Sequence, residues 1–179
     1  MAEVAFVVAD DFEDSELEVP CEWLRAAGHH VTFVGAKAGE AVRGKRGAVV
    51  DIEMAASEVA PRDLDAVVVP GGYSPDRLRL CPDVVDLLRQ VAREGRLVAA
   101  ICHGPSLLID ADVVSGRTVT SWPSIRRDLE NAGATWVDET VVEDANLVTS
   151  RNPGDLDTFS ETILRKLRAQ HETRTAGRA

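Results

Sequence analysis

The sequence predicts an α/β domain built on a doubly wound, mostly parallel sheet flanked by helices. Three observations support this fold class. Four short apolar runs rich in β-branched residues are typical of strands buried on both faces. Helical patterns lie between these runs, and the connections are short, which favours right-handed strand–helix–strand units. The four runs cover residues 4–9, 31–34, 66–69 and 97–101.

Helices are predicted between these strands and at the end of the chain. The first covers residues 13–27, has apolar residues at helical spacing, and ends at Gly28, a common helix stop. The second covers residues 82–94 and also ends at a glycine. A last helix is expected over residues 153–170, with a proline in the first turn, where proline is tolerated.

Shorter strands are expected outside the central runs. Residues 42–50, interrupted by two glycines, predict a pair of short strands off the main sheet. The further strand candidates are residues 118–121, 135–137, 140–142 and 147–149. Since no repeat, linker or break in composition divides the chain, we expect one domain over residues 1–170 and a disordered tail over residues 171–179.

Charge and composition limit the classes of partner. The 179 residues include 20 Lys and Arg against 30 Asp and Glu, a net charge of −10. Such a surface repels phosphate backbones and anionic membranes, so we expect neither a specific nucleic-acid partner nor a membrane partner. The sequence also contains no metal-ligand spacing and no glycine-rich phosphate loop, so we expect no cofactor and no metal.

The cysteines and the N-terminal segment indicate the compartment. The three cysteines, Cys21, Cys81 and Cys102, are odd in number and form no CxxC pair, which favours a reducing environment. The first residues lack the basic leader of a secretory signal, and no apolar run is long enough to cross a bilayer. We therefore expect a cytoplasmic protein.

The segment from Leu97 to Pro105 has the arrangement of a nucleophile elbow. A buried strand ends, Cys102 follows, and a helical pattern begins at once, so a tight turn presents the cysteine at the carboxyl edge of the sheet. The helix N-terminus favours the thiolate, and the backbone N–H of His103 is placed to stabilise an oxyanion. Gly104 leaves room for a close approach within the turn, and we count it among the candidate residues for substrate or oxyanion binding. The competing interpretation is a small buried cysteine at a strand end.

A second strand ends in Pro70-Gly71-Gly72, again at the carboxyl edge of the predicted sheet. Because glycine leaves its backbone N–H accessible, Gly72 is a candidate for the second oxyanion donor. Two adjacent glycines also signal an ordinary tight turn. The functional interpretation therefore depends on the cysteine elbow lying beside it.

An acidic cluster follows the first strand. Acids in a first helical turn usually complement the helix dipole, and this interpretation covers most of the cluster. Glu16, however, is followed by core positions that turn its face toward the sheet edge. A carboxyl buried beside a thiolate has a raised pKa, because of desolvation and like charge, and then donates a hydrogen bond to the sulfur. Glu13, three residues earlier on the same face, is a second candidate.

On these residues, the sequence resembles the ThiJ/PfpI superfamily, and within it the PfpI-like intracellular proteases and general stress proteins, with their glyoxalase III and deglycase relatives. The match runs from Val4 to about Leu167. Its markers are Phe12-Glu13-Asp14-Ser15-Glu16-Leu17 with Pro20, Pro70-Gly71-Gly72, Ala100-Ile101-Cys102-His103-Gly104-Pro105, Thr120-Ser121-Trp122-Pro123, Asn131-Ala132-Gly133-Ala134, Trp136-Val137-Asp138 and Thr149-Ser150-Arg151-Asn152-Pro153.

The resemblance implies a flavodoxin-like sandwich, related to that of the class I glutamine amidotransferases, and assigns roles to several residues. Cys102 is the implied nucleophile, His103 its neighbour, and Glu16 the acid hydrogen-bonded to the sulfur. In protease-like members a glutamate after the double glycine reaches the histidine of an adjacent subunit. That position here is Asp76, whose side chain is shorter by one carbon–carbon bond, roughly 1.5 Å. Homodimers, sometimes assembled into hexamers, are also implied.

Two functions are compatible with this pattern. In the first, the Cys102 thiolate attacks an electrophilic carbonyl, with His103 or Glu16 moving protons. The expected substrates are methylglyoxal, its adducts on proteins, or peptides. The second is a redox-responsive stress protein or holdase, whose cysteine is oxidised reversibly without turnover. A glutamine amidotransferase ranks last, because the only late histidine is His171, in the predicted tail.

Overall fold

The computed structural model of the chain describes residues 1–176, with side chains as far as residue 173. The strands, in chain order, are β1 (Glu3–Val7), β2 (His30–Gly35), β3 (Ala41–Arg43), β4 (Val49–Asp51), β5 (Met54–Ala55), β6 (Ala66–Val69), β7 (Leu97–Ile101), β8 (Thr118–Val119), β9 (Thr135–Trp136), β10 (Val141–Asp144) and β11 (Leu147–Ser150). The α-helices are α1 (Asp14–Ala26), α2 (Ser74–Leu78), α3 (Pro82–Arg93), α4 (Pro105–Asp110), α5 (Arg126–Asn131) and α6 (Leu156–Ala176).

Within residues 1–176, seven strands form the central sheet, in the order β10-β11-β7-β6-β1-β2-β5. Every neighbouring pair is parallel except β10 and β11, which are antiparallel. This confirms the predicted doubly wound, mostly parallel sheet flanked by helices. The expected pair of short strands is also present, since β3 and β4 form a separate antiparallel ribbon.

Helices cover both faces of the sheet. On one face, Phe6 of β1 packs in a buried cluster with Leu24 of α1 and with Phe159 and Ile163 of α6. On the other face, the apolar side chains of β6 and β7 pack with those of α3 and α4. All residues of β6 and β7 are buried, which explains why these strands are continuous apolar runs and do not alternate.

The end of the chain departs from the sequence prediction. Residues 153–155 form a single 3₁₀ turn, and α6 then continues to Ala176. The segment predicted as a disordered tail is therefore helical from residue 171 to residue 176. The physical reason is that no helix breaker occurs between Gln170 and Gly177, so backbone hydrogen bonding can continue without an apolar stripe. Residues 177–179 of the predicted tail lie outside the described residues.

The strand order reverses between β1 and β6, because the chain passes from β1 to β2 on one side and returns to β6 on the other. In open α/β sheets, ligands bind at the carboxyl edge beside such a switch point. The segments that follow β1, β6 and β7 meet at this edge. They contain the acidic cluster, the double glycine and the cysteine. Within the described part of the chain, no helix is long and apolar enough to span a membrane.

Gly104 provides a test of the turn between β7 and α4. A Cβ added at Gly104 would lie 2.5 Å from the carbonyl oxygen of Val69 and 2.8 Å from that of Ile101. Since both contacts are backbone atoms, Gly104→Ala is expected to lower the free energy of unfolding by about 3 kcal/mol or more. Urea denaturation followed by circular dichroism measures this loss.

Gly28→Ala is the matched control for Gly104→Ala. Gly28 has φ +80°, and none of the described residues lies within 4 Å of an added Cβ, so the substitution introduces backbone strain without a collision, at roughly 1–2 kcal/mol. If Gly104→Ala cost no more than Gly28→Ala, the close approach of the turn to β6 would not matter for stability.

Candidate active site

Cys102 occupies a strained turn at the end of β7. Its φ is +61°, in the left-handed region that non-glycine residues seldom adopt. Two backbone hydrogen bonds hold this conformation: the N–H of Cys102 donates to the carbonyl of Ser150, and its own carbonyl accepts from the N–H of Trp122. The side chain is 9% exposed. The turn therefore fixes the sulfur at the sheet edge.

Gly104 shapes this turn and does not contribute a donor to the site. Its N–H already donates to the carbonyl of Ile101, at 2.8 Å. Because this N–H is already hydrogen-bonded, it is not free to bind an oxyanion, the role expected of Gly104 from the sequence. The close approach to β6 explains why a glycine is needed here.

Glu16 lies completely buried in the first turn of α1. Its Oε2 accepts a hydrogen bond from the N–H of Gly71, at 2.8 Å, and its carboxyl group interacts with the sulfur of Cys102. Among residues 1–173, Oε1 has no hydrogen-bond partner. Because burial penalises the charged carboxylate, the pKa of Glu16 rises to about 7. This direction is the one predicted from the sequence.

The pKa of Cys102 differs from the sequence expectation of a helix-favoured thiolate. Burial is the largest cause and, with the negative charge of Glu16, raises the pKa of the thiol to about 12. Hydrogen bonds from the backbone N–H groups of His103 and Gly72 lower the pKa of the thiol, but by less than burial raises it. Since α4 is only six residues long, its N-terminus is too weak to offset burial beside a carboxylate. The two groups titrate as a pair, and the thiolate forms more readily when Glu16 carries the proton, because the like charge of the carboxylate is then absent.

Gly71 and Gly72 allow the three strand ends to come together. A Cβ on Gly71 would lie 2.4 Å from Oε2 of Glu16 and 2.8 Å from Cβ of Cys102. Gly72 has φ +75°, and an added Cβ would lie 2.4 Å from the carbonyl oxygen of Asp11. The Gly72 N–H lies at the sulfur and lowers the pKa of the Cys102 thiol, and its role as an oxyanion donor stays a prediction.

His103 lies between the sulfur and the surface. Its Nδ1 is 3.4 Å from Sγ of Cys102, and its Nε2 is 3.2 Å from Oγ of Ser124. Desolvation is the larger cause that lowers the pKa of His103, and the positive charge of Lys45 adds to it. The ring is therefore neutral near pH 7 and can accept a proton.

The hairpin between β3 and β4 carries Lys45 to the site. Asp14, also buried, accepts hydrogen bonds from the N–H groups of Arg46 and Ala48 and fixes this hairpin. Glu13 lies between Lys45 and Arg46, with an oxygen 3.7 Å from a side-chain nitrogen of each. The structure thus places Glu13 near the site, engaged with two cations.

A cavity of about 410 Å³ opens beside His103. Its lining residues are Lys45, Gly72, Tyr73, Asp76, Arg79, His103, Ser106, Ile125 and Asp128. Asp76 and His103 of the same chain therefore line one cavity, while the His103 ring contacts Ser124 through Nε2 and Cys102 through Nδ1. The pairing of Asp76 with a histidine of another subunit stays a prediction about the assembled protein.

Sequence reasoning missed Lys45, Ser124 and Asp128. These residues come from segments far from Cys102 in sequence, so no local spacing points to them. Of the three, only Ser124 could have been suspected from the sequence, because it directly follows the family marker Trp122-Pro123. Among the residues that the structure describes, no group of three or more His, Cys, Asp or Glu side chains is arranged to hold a metal ion.

Comparison with known proteins decides the family. The model of the DJ-1/PfpI family matches residues 2–166. The chain belongs to the DJ-1/PfpI family. It is 46% identical over 168 residues to protein/nucleic acid deglycase 2 of Escherichia coli, covering 93% of this chain and 98% of that one. It is 42% identical over 165 residues to deglycase PfpI of Pyrococcus furiosus, covering 92% of this chain and 99% of that one. The resemblance drawn from the motifs is confirmed.

Solved DJ-1/PfpI structures share the fold. Drosophila melanogaster DJ-1beta superposes with a TM-score of 0.85 at 34% identity, over 97% of both chains. A two-domain protein of Anabaena variabilis, with DJ-1/ThiJ/PfpI-like and ferritin-like domains, superposes with a TM-score of 0.92 at 40% identity. That match covers 93% of this chain and 48% of the two-domain protein.

The protonation of Glu16 can be tested through the alkylation rate of Cys102 as a function of pH. If Glu16 donates its proton to the thiolate, Glu16→Ala removes this hydrogen bond and raises the pH midpoint of alkylation by about one unit or more. Glu16→Gln keeps an N–H donor and is expected to raise the midpoint less. Iodoacetamide labelling read by mass spectrometry at Cys102 gives both midpoints.

The opposite shift would contradict this role of Glu16. An ionised Glu16 would suppress the thiolate by like charge, and Glu16→Ala would then lower the midpoint. Circular dichroism of both variants checks that the fold is intact.

Proposed function

We propose that the protein is a cysteine-dependent stress enzyme of the deglycase type, acting on methylglyoxal or on the adducts that methylglyoxal forms on proteins. The observation that carries this proposal is the contact of the buried Glu16 carboxyl with the Cys102 sulfur, beside a neutral His103. The relatives named deglycases, at 42–46% identity over almost their full length, support the same conclusion.

The first step is addition of sulfur to the aldehyde carbon. With the proton on Glu16 and the charge on Cys102, a C–S bond forms and the electrons of the carbonyl π bond move to oxygen, which takes the Glu16 proton. With an amine adduct as substrate, the thiolate displaces the amine: the C–N bond breaks, and the nitrogen takes the Glu16 proton. Both routes give the same hemithioacetal on Cys102.

The second step converts this hemithioacetal to product. His103 removes the proton from the carbon bonded to sulfur and returns it to the neighbouring carbon, while the hydroxyl proton on the first carbon passes to the oxygen of the second, which gives a thioester of lactate. Water then adds to the thioester, and the C–S bond breaks with its electrons moving to sulfur. Lactate leaves, one proton returns to Glu16, and one is released to solvent. The sum is methylglyoxal plus water to lactate and a proton.

The geometry of the site supports both steps. The N–H groups of His103 and Gly72 lie at the sulfur, where they also stabilise an oxygen on the carbon it attacks. Ser124 beside Nε2 fixes the His103 ring, so that Nδ1 faces the sulfur and the carbon that becomes bonded to it. A cavity of about 410 Å³ suits a small dicarbonyl or one modified side chain.

We also propose that the protein works as a homo-oligomer, a dimer or a hexamer, in which Asp76 of one protomer approaches His103 of the next. The exposed position of Asp76 at the cavity supports this arrangement. A peptidase activity would require it, because the leaving amine of a peptide needs a proton from an oriented histidine.

Turnover of methylglyoxal provides the direct test. Wild type is expected to form lactate, and Cys102→Ser to lower the rate by roughly three orders of magnitude or more, because the nucleophile is lost. Cys81→Ser makes the same chemical change at the residue that precedes α3 and is expected to keep the wild-type rate. Lactate is measured enzymatically.

A trapping experiment separates action on the adduct from action on free aldehyde. Methylglyoxal-modified N-acetylarginine is supplied together with aminoguanidine, which removes free methylglyoxal. Lactate formed under these conditions indicates that the adduct itself is the substrate. If wild type formed no lactate and peroxide converted Cys102 to a sulfenic acid, the redox-responsive function without turnover would replace the enzyme proposal.

A further inference from the structure

Among the described residues, two cations and two carboxylates line the cavity beside His103, and the two cations are paired with carboxylates outside the lining. Lys45 and its neighbour Arg46 lie near the carboxylates of Glu13 and Asp14. Arg79 forms an ion pair with Asp110, at 2.5 Å. Each of these cations is therefore balanced by a carboxylate of the same chain, and their charges largely cancel.

Two carboxylates of the cavity are not balanced in this way. Asp76, in α2, and Asp128, in α5, both line it, and neither forms an ion pair with any of residues 1–173. The arginines next to Asp128 are engaged elsewhere, since Arg126 and Arg127 both pair with Glu130. The cavity therefore has an excess of negative charge.

Two other residues that line the cavity, His103 and Tyr73, also favour a cationic ligand over an anionic one. His103 adds no positive charge, because desolvation keeps its ring neutral. Tyr73 contributes an aromatic ring that is 58% exposed, and the guanidinium of Arg77 already lies 5.7 Å from the centre of this ring. Aromatic faces attract cations and give nothing to anions.

We propose that Asp128 is a specificity-determining residue, which makes this cavity favour carbonyl substrates bearing a positive group over those bearing a negative group. This proposal rests on the proposed function for its substrate chemistry. The same charge disfavours an anionic product, so lactate formed at Cys102 is repelled toward solvent. Asp128 has no part in bond making and acts through its charge alone.

The charge preference is measured first without turnover. Two methanethiosulfonates of similar size, one with a trimethylammonium group and one with a sulfonate, modify Cys102 at rates read by peptide mass spectrometry. Wild type is expected to react faster with the cationic reagent. Removal of one nearby charge in Asp128→Asn is expected to lower the ratio of cationic to anionic rates by about tenfold, and Asp128→Lys to lower it further.

The same ratio is then measured in catalysis. Phenylglyoxals with a trimethylammonium or a carboxylate group on the ring present the same dicarbonyl with opposite fixed charges. The ratio of their kcat/KM values, from mandelate formation, is expected to fall in Asp128→Asn as it does for the thiol reagents. High salt is expected to reduce the wild-type ratio, since ions screen the interaction.

Asp157→Asn is the control, because it removes one exposed carboxylate from α6 outside the cavity. It is expected to keep the wild-type ratio. An unchanged ratio in Asp128→Asn and Asp128→Lys, or a wild-type preference for the anionic reagent, overturns the proposal. A reagent ratio that depends on Asp128 in a protein without turnover supports the charge assignment and overturns the proposed function.

Discussion

The contact of the Glu16 carboxyl with the Cys102 sulfur is the constraint on which the rest of the structure depends. Two acidic groups placed together in a buried site cannot both ionise near neutral pH, because desolvation and like charge oppose it. The chain brings them together only because Gly71 lies between them, and any Cβ at Gly71 would collide with both side chains. The single proton shared by this pair decides whether the sulfur is inert or nucleophilic.

Much of the fold and part of the site could be predicted from the sequence. The apolar runs predicted the strands of the sheet, and the stop glycines predicted where helices end. Residues 97–105 predicted the elbow. Each of these signals is local in sequence. The identity of Glu16 was also predictable, since the core positions after it set the face it occupies. Its raised pKa follows mainly from burial, to which the like charge of Glu13 adds.

The rest of the site depends on contacts between distant segments. Asp14 was grouped with acids that complement a helix dipole, yet it is buried and fixes a hairpin more than 30 residues away in sequence. Ser124 and Asp128 reach the cavity from the segment after β8, and no spacing relates them to Cys102. The helix N-terminus does not lower the pKa of Cys102 as expected, because the desolvation of the buried sulfur and the like charge of Glu16 outweigh the dipole of a six-residue helix.

Strain and burial at this site are maintained by the core around it. A residue such as Cys102 at positive φ costs of the order of 1–3 kcal/mol, and it persists only when its surroundings leave it no alternative. Here β7 is buried along its whole length, and the bonds to Ser150 and Trp122 hold the backbone on both sides of the turn. The sulfur therefore cannot relax away from Glu16 when the shared proton moves. A looser turn would be more stable, but it would lose the contact that makes the proton position control reactivity.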